Sequence, residues 1–563
     1  MPYRAPGAEY RFILDHVVPL APVSGAECFS HATPDLAGAV LDGAGRLCEE
    51  VLAPLQRAGD LNPVRLENGV VRTPPGFAGG YRAIADGGWV SVTAPPEFGG
   101  MGLPAMLGSA VNEMMSGACL ALQLNPLLTQ GHIEALHRHA SGDMKALYLP
   151  KLITGEWSGT MNLTEPQAGT DVGALRTRAE PAGDGTFRIT GQKIFITWGD
   201  SDVVENVSHL VLARLPDGVP GTKGISLFLV PKYLPDPAGR PGAPNALRVV
   251  SLEHKLGLHG SPTCVMAYEG ATGWLVGEPH GGMAAMFTMM NNARLGVGMQ
   301  GVGVAEAAFQ RAVEFAQGRE QAGRIIDHAD VRRMLAGMKA DIFAARSIGI
   351  ACAQALDLAR ATGAADWRAR AALLTPIAKV FGTDTGLAVS EACVQVHGGM
   401  GYVEETGVAQ FYRDVRITSI YEGTNGIQAM DLAGRKMADG GEAMCGLLDE
   451  VQAAAEGARP ALADLAGEVW TAAEALREGT EALVAQSLPD RFAGAVPYLR
   501  AAARVLGAHF HLKAALAGGE GGPRAALARF YVSRLLPEYA SCLATARGGA
   551  GEVFAVSEAD LAV

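Results

Sequence analysis

Apolar residues recur at three- and four-residue spacing through most of the first 155 positions, as in 36–55 and 105–122. That period predicts amphipathic helices, with Pro104 at the start of the second. Between them, Ala94-Pro95-Pro96-Glu97-Phe98-Gly99-Gly100-Met101-Gly102 is dense in helix breakers and reads as a loop. From about 157 the period shortens to two. The run 187–197 alternates after an Asp184-Gly185 turn signal, and 210–215 and 225–230 read as further strands. Helical spacing returns after Gly281 and persists to about 436, where Asp439-Gly440-Gly441-Glu442 breaks it. The last stretch is Ala-rich and amphipathic, as in 451–465 and 525–536. These patterns predict a mixed, mainly α architecture. An N-terminal helical domain (1–156) precedes a central antiparallel β domain (157–278), then a C-terminal four-helix-type domain (279–437) and an extra C-terminal helical module (438–563).

Composition narrows the class. A chain of 563 residues exceeds one ordinary core. Hydrophobic residues at 48%, charged residues at 18% and a mean hydropathy of +0.14 describe a globular protein with large buried interfaces, not a disordered one. A net charge of −12 without a basic block disfavours broad electrostatic binding to nucleic acid or anionic membrane. The eight cysteines form no CxxC pair, which argues against zinc ribbons and thioredoxin-like sites. The N-terminus lacks a secretory pattern, and no uninterrupted apolar run reaches the ~18 residues of a membrane span. The expected compartment is the cytoplasm.

Gly296-Val297-Gly298-Met299-Gln300-Gly301 matches a dinucleotide fingerprint, yet it lies inside one helical apolar run with no strand before it. Close helix–helix packing through small residues is the better reading. His132, His137 and His139 cluster, but spacings of five and two do not place all three on one helical face, so no metal is expected. No GxSxG elbow, P-loop or HExxH appears. Two segments carry chemistry. In Met161–Gly173, Thr164, Gly169 and Thr170 offer hydroxyls and approachable backbone N–H groups, suited to a polar ring edge and a pyrophosphate. In the second, Gln395-Val-His-Gly-Gly-Met-Gly-Tyr402 is followed by Ile420-Tyr-Glu-Gly-Thr-Asn-Gly-Ile-Gln428. Glu422 follows Ile420-Tyr421, and a partly dry setting would raise its pKa and favour a general base.

With these motifs the chain resembles the acyl-CoA dehydrogenase family of flavoproteins over about residues 30–436. Thr164–Asp171 is similar to that family's first motif, and Gln395–Tyr402 with Ile420–Thr424 to its second motif and catalytic segment. Residues 94–103 and 255–263 resemble its N-terminal loop and the run closing its β domain. Tyr3-Arg4-Ala5-Pro6, residues 286–296 and the extra C-terminal module resemble a longer bacterial branch.

The resemblance implies FAD-dependent α,β-dehydrogenation of an acyl-CoA to the trans-2-enoyl-CoA. Glu422 would remove the α-proton, the β-hydride would pass to flavin N5, and the Glu422 N–H would help hold the thioester oxygen. Gly423 would let the backbone approach the thioester, Tyr421 would line the acyl cavity, and Arg294 would face the substrate and tune the base. Leu163 and Thr164 would address the flavin ring edge, with Gly169 in the same motif and Thr170 near the phosphates. Phe195 and Thr197 would lie beside the ring, and Thr424 would touch the flavin. Arg319 and Gln395 to Gly399, including Gly398 and Gly399, would reach FAD from a neighbouring subunit. That implies a homodimer or a dimer of dimers. The implied electron acceptor is electron-transfer flavoprotein, and the implied substrate is a fatty acyl-CoA or 3-methylthiopropionyl-CoA.

The chain departs from the family pattern at four places: Gln410 for Lys or Arg, Ala322 for Phe, Asp327-His-Ala-Asp330 for an ending in His-Gln, and Gly426 for Gln. They bear on adenine-side contact and dimer geometry. Competing readings are an acyl-CoA oxidase, a silent scaffold that kept the fold, and a DNA-associated flavoprotein. The last needs a basic face, and residues 441–563 hold one lysine, Lys513.

Overall fold

The computed structural model describes residues 3–562. Its first part is helical, interrupted by a small hairpin (Arg65–Glu67 with Val70–Arg72). Helix α1 (Ala105–His139) runs through the core, and Pro104 occupies its N-cap. Its free N–H groups are met from far away in sequence. The Asp357 carboxylate accepts from Ala105 N at 2.7 Å and Met106 N at 3.0 Å, satisfying two of the donors that every helix start leaves open.

The central domain holds seven strands: β1 (Trp157–Asn162), β2 (Arg178–Pro181), β3 (Phe187–Thr197), β4 (Asn206–Arg214), β5 (Ile225–Pro231), β6 (Leu247–Leu252) and β7 (Thr263–Val276). Their order is β6-β7-β3-β2-β4-β1, and β5 pairs with both β7 and β4, so five of the strands close a ring. Ile189, Val211, Phe228, Val230, Met266 and Tyr268 fill a separate core there. The sheet is antiparallel, as expected, at most pairings, but β4 runs parallel to β1 and meets β2 in parallel. Local alternation carries no information about strand direction, and this part of the expectation is corrected.

Beyond the sheet lie α2 (Gly282–Gly318), α3 (Ala329–Thr362) and α4 (Ala365–His397). The Gly296–Gly301 run sits in mid-helix, where it permits close packing of α2 on α4. A Cβ on Gly298 would stand 2.6 Å from Ala378 O, and one on Gly301 would stand 2.3 Å from Gly382 O. The run is helical and forms no strand-to-helix nucleotide loop. Gly301→Ala is therefore expected to lower stability by about 1–3 kcal/mol, because backbone cannot yield as a side chain would. A thermal melt of the variant checks it.

A buried ionic knot ties these helices to the N-terminal segment. Arg346 on α3 donates to Glu113 on α1 at 3.0 Å and to Glu306 on α2 at 2.8 Å, while Tyr10 donates to Glu113. Of the C-terminal helices, α7 (Leu488–Gly518) packs on α3 and on the short α5 (Asn425–Asp431), while α6 (Glu442–Ala485) packs on α7 and α4. Arg504 joins Asp341 and Glu538 at 2.5 and 2.7 Å, and Arg524 pairs with Glu9 near the chain start.

Among the described residues two helices, α1 and α3, are long and apolar enough to span a membrane, although no uninterrupted apolar run reveals them. Their apolar windows are 94% and 78% buried inside the protein, which makes them core helices.

Candidate active site

Glu422 sits in a turn between the α4 region and α5, with φ of +56°, followed by Gly423 at +85°. A non-glycine residue in this left-handed region costs about 1–2 kcal/mol, so the surrounding structure must hold it. The holding groups are visible. Gln428 Nε2 donates to Glu422 O at 3.1 Å. Lys379 Nζ, from α4, donates to Gly423 O at 3.0 Å and to Asn425 Oδ1 at 2.7 Å. Asn425 in turn donates to Thr383 Oγ1 and Asp384 Oδ1, and Thr424 Oγ1 caps α5 by accepting from Ile427 N. Burial pushes the Glu422 carboxyl up to about 7, against the opposing pull of Arg294 and Lys379. The partly dry setting read from Ile420-Tyr421 is present.

Arg294 is buried on α2, 3.9 Å from Asp431, and its Nε has no hydrogen-bond partner among the described residues. Tyr421 donates to Gln300 Oε1. Gln300 donates to Gln123 Oε1 at 2.9 Å, and Gln123 donates to Asn112, so a line of buried amides runs from the turn into α1. The β domain meets α1 separately, where Trp198 Nε1, directly after Thr197, donates to Ala121 O at 3.2 Å.

In the β domain the loop after β1 carries Leu163, Thr164, Gly169 and Thr170. It is pinned to β3. Ile194 N donates to Thr164 O at 2.9 Å, and Lys193 Nζ donates to Leu163 O at 3.0 Å and Glu165 Oε1 at 2.8 Å. Glu165 also accepts from Arg176 N, Thr177 N and Thr177 Oγ1. Burial pushes its carboxyl up, but Lys193 and these donors outweigh burial and hold it at about 2. Strict alternation along β3 would place Phe195 on the inner face with Ile189 and Lys193. The register against β7 slips between Cys264 and Met266, and this bulge, with Phe195 at φ +58°, turns its ring outward to 60% exposure.

Arg319, Gln395, Gly398 and Gly399 form a third, exposed group, drawn together by stacking of Phe315 on His397 at 4.2 Å. Sixteen residues of α4 separate Gln395 from Lys379, a rise of about 24 Å. Gln395 thus lies far along α4 from Lys379, the residue that holds the turn after Glu422. Sequence reasoning missed Lys379, Gln300, Glu165 and Lys193. The available signal was a lone polar residue in an apolar stretch, as in Ile377-Ala378-Lys379-Val380-Phe381. The histidine cluster disperses: His132 is buried against Ser208 Oγ at 3.1 Å, whereas His137 meets Glu97 and His139 meets Thr288. Among the described residues no group of His, Cys, Asp or Glu could hold a metal ion.

On a helical–β–helical scaffold the protein thus carries a half-buried carboxylate on a strained turn, a polar β-domain loop and an outward aromatic ring, parts that suit a flavin-dependent oxidoreductase. Comparison with known proteins narrows the class. The chain matches the acyl-CoA dehydrogenase N-terminal domain over 38–156, middle domain over 160–271 and C-terminal domain over 280–437. It also matches an acetyl-CoA dehydrogenase C-terminal-like domain over 447–557. It is 46% identical over 519 residues to 3-methylmercaptopropionyl-CoA dehydrogenase of Ruegeria pomeroyi, covering 89% of this chain and 88% of that one. Among solved structures, Caenorhabditis elegans ACDH-11 in complex with C11-CoA shares the fold with a TM-score of 0.82. The identity is 19%, over 95% of this chain and 92% of that one. Butyryl-CoA dehydrogenase of Megasphaera elsdenii gives 0.62 at 27% identity, over 71% and 98%.

The chain belongs to the acyl-CoA dehydrogenase family. It is an oxidoreductase acting on an acyl-CoA, and its cofactor is FAD. The residues present fit that group: Thr164, Thr170 and Thr197 supply hydroxyls, Phe195 presents a ring face, and a Cβ on Gly169, Gly398 or Gly399 would meet nothing within 4 Å.

Proposed function

We propose that Glu422 is the base that removes the α-proton of an acyl-CoA thioester, giving the trans-2-enoyl-CoA. The observation carrying this is the carboxyl of Glu422, desolvated and held on strained backbone by its neighbours, a state suited to taking a proton near neutral pH. FAD, when bound, accepts the β-hydride. Leu163, Thr164, Gly169, Thr170, Phe195, Thr197 and Thr424 would hold it. Tyr421 and Gly423 flank the base and would shape the thioester pocket, and Arg294 supplies a fixed positive charge opposite it.

Arg319, Gln395, Gly398 and Gly399 would serve the FAD of a neighbouring subunit. The length of α4 supports this reading, because Gln395 lies about 24 Å along it from Lys379, which holds the catalytic turn, and a homodimer or dimer of dimers is the proposed assembly. Electron-transfer flavoprotein is the proposed acceptor, and the cytoplasm the proposed compartment. For the substrate, the identity to the Ruegeria enzyme supports 3-methylthiopropionyl-CoA over longer fatty acyl-CoAs.

The test is an anaerobic titration of the yellow protein with acyl-CoAs of rising length and with 3-methylthiopropionyl-CoA. Bleaching of the oxidised flavin band by the thioether substrate and short acyl-CoAs is expected. Bleaching by long chains alone overturns the substrate, and bleaching by none overturns the reaction. Hydrogen peroxide formed stoichiometrically with product in air would overturn electron-transfer flavoprotein as acceptor and make the protein an oxidase.

A further inference from the structure

We propose that Lys379 is a positioning residue for the dehydrogenation: its ammonium tethers the catalytic turn and, as a cation at neutral pH, biases the Glu422 side chain toward the carboxylate. The inference rests on the reading of Glu422 as the base.

Lys379 is fully buried on α4, between Ile377, Ala378, Val380 and Phe381, all themselves buried. An ammonium taken out of water is costly unless its partners repay it. Among the described residues no carboxylate oxygen lies within ion-pair distance of its Nζ. Its two partners are Gly423 O and Asn425 Oδ1, on the first and third residues after the base. If the helix needed only packing there, methionine would fill the space without that cost. The tether also suits the strained turn, since φ is positive at both Glu422 and Gly423 and a loose turn would relax out of that region.

The charges facing these groups come from several elements. Glu422 faces Arg294 on α2 and Lys379 on α4. Lys379 faces Asp384 on its own helix, Glu422 and Arg294, and burial pulls it down to about 8. Asp384 accepts from Asn425 and feels Arg500 on α7 and Arg416. Arg294 faces Asp431 and Arg435 as well as Glu422. Removing the Lys379 cation leaves Arg294 alone to oppose burial, so Glu422 holds its proton more tightly. The carboxylate then forms only at higher pH.

Lys379→Gln removes the charge and keeps a donor, whereas Lys379→Met removes both. The experiment follows the rate of flavin bleaching by a saturating acyl-CoA against pH in each holoenzyme. In Lys379→Gln the rising limb should move up by about one pH unit, with a five- to tenfold slower step at neutral pH. KM for acyl-CoA should stay within about threefold, because the tether addresses the base and not the substrate. Lys379→Met should be slower still. Lys379→Arg keeps the charge and should keep the wild-type limb. A wild-type limb in Lys379→Gln, or a limb in Lys379→Arg displaced as far upward, overturns the proposal. If Lys379→Gln does not fold with FAD, the Lys379→Arg comparison decides. Glu422→Gln in parallel separates the two readings: turnover there removes the base itself, whereas a dead Glu422→Gln beside an unshifted Lys379→Gln removes only Lys379.

Discussion

Glu422→Gln is expected to abolish flavin bleaching by acyl-CoA, with turnover falling roughly 10²–10⁴-fold, the span attributed to a positioned general base. Gln keeps the shape and polarity of the side chain, so the turn held by Gln428 and Lys379 persists, while an amide cannot take the proton. FAD content and acyl-CoA binding should survive. The pH dependence has a definite sign. Burial raises the folded carboxyl to about 7 from an ordinary value near 4.3, so the native protein binds the extra proton between those limits. Wild-type turnover therefore climbs as pH rises through about 7. In the same window the wild-type fold loses stability, because the buried carboxylate is the costlier form. The variant lacks that loss, and its melting temperature at pH 8 should equal or exceed wild type. A rate loss accompanied by a lower melting temperature would point to damage rather than chemistry. Unchanged turnover would remove Glu422 from the mechanism.

What could be read before the structure follows from which interactions are local. The change of hydrophobic period near 157 and again after 281 is a local property, and so is the Gly440-Gly441 break, where both residues take positive φ and the following helix starts at Glu442. The packing role of Gly298 and Gly301 was legible because a nucleotide loop needs a strand that the pattern lacks. Strand direction was not legible: β1 and β4 are parallel because of chain paths far longer than any local repeat. The bulge that exposes Phe195 interrupts an alternation that looks regular as text. The polar skeleton of the site was also hidden. Lys379 and Gln300 are single polar residues on apolar helical faces, and each meets the turn across a long sequence gap. Around Glu422 the turn itself, Tyr421-Glu422-Gly423-Thr424, announced its chemistry, as the Thr164–Thr170 loop did in the β domain.

Lys193→Met should destabilise the β domain by about 3–5 kcal/mol and release FAD, because it strips the counter-charge from a carboxylate that stays buried. Glu165 is 4% exposed, Lys193 fully buried, and their oxygen and nitrogen lie 2.8 Å apart. The loss falls on the loop of Leu163 to Thr170, which Lys193 also anchors through Leu163 O. Glu165 holds the loop's far end through Arg176 N and Thr177. A thermal melt and the ratio of flavin to protein absorbance after dialysis report the two effects separately. Replacing both partners, Glu165→Met with Lys193→Met, removes the orphaned charge and should recover part of the stability but not the flavin. Recovery of both would mean that the pair serves packing and leaves the loop's shape to other contacts. The acid limb supplies an independent sign. The Glu165 carboxyl is held at about 2, below its unfolded value near 4.3, so its contribution is complete above that value. It is lost as pH falls from about 4 to about 2, and the double variant should lack that part of the acid transition. Wild type and double variant losing flavin and fold along the same acid curve would remove the pair as the clamp on the loop.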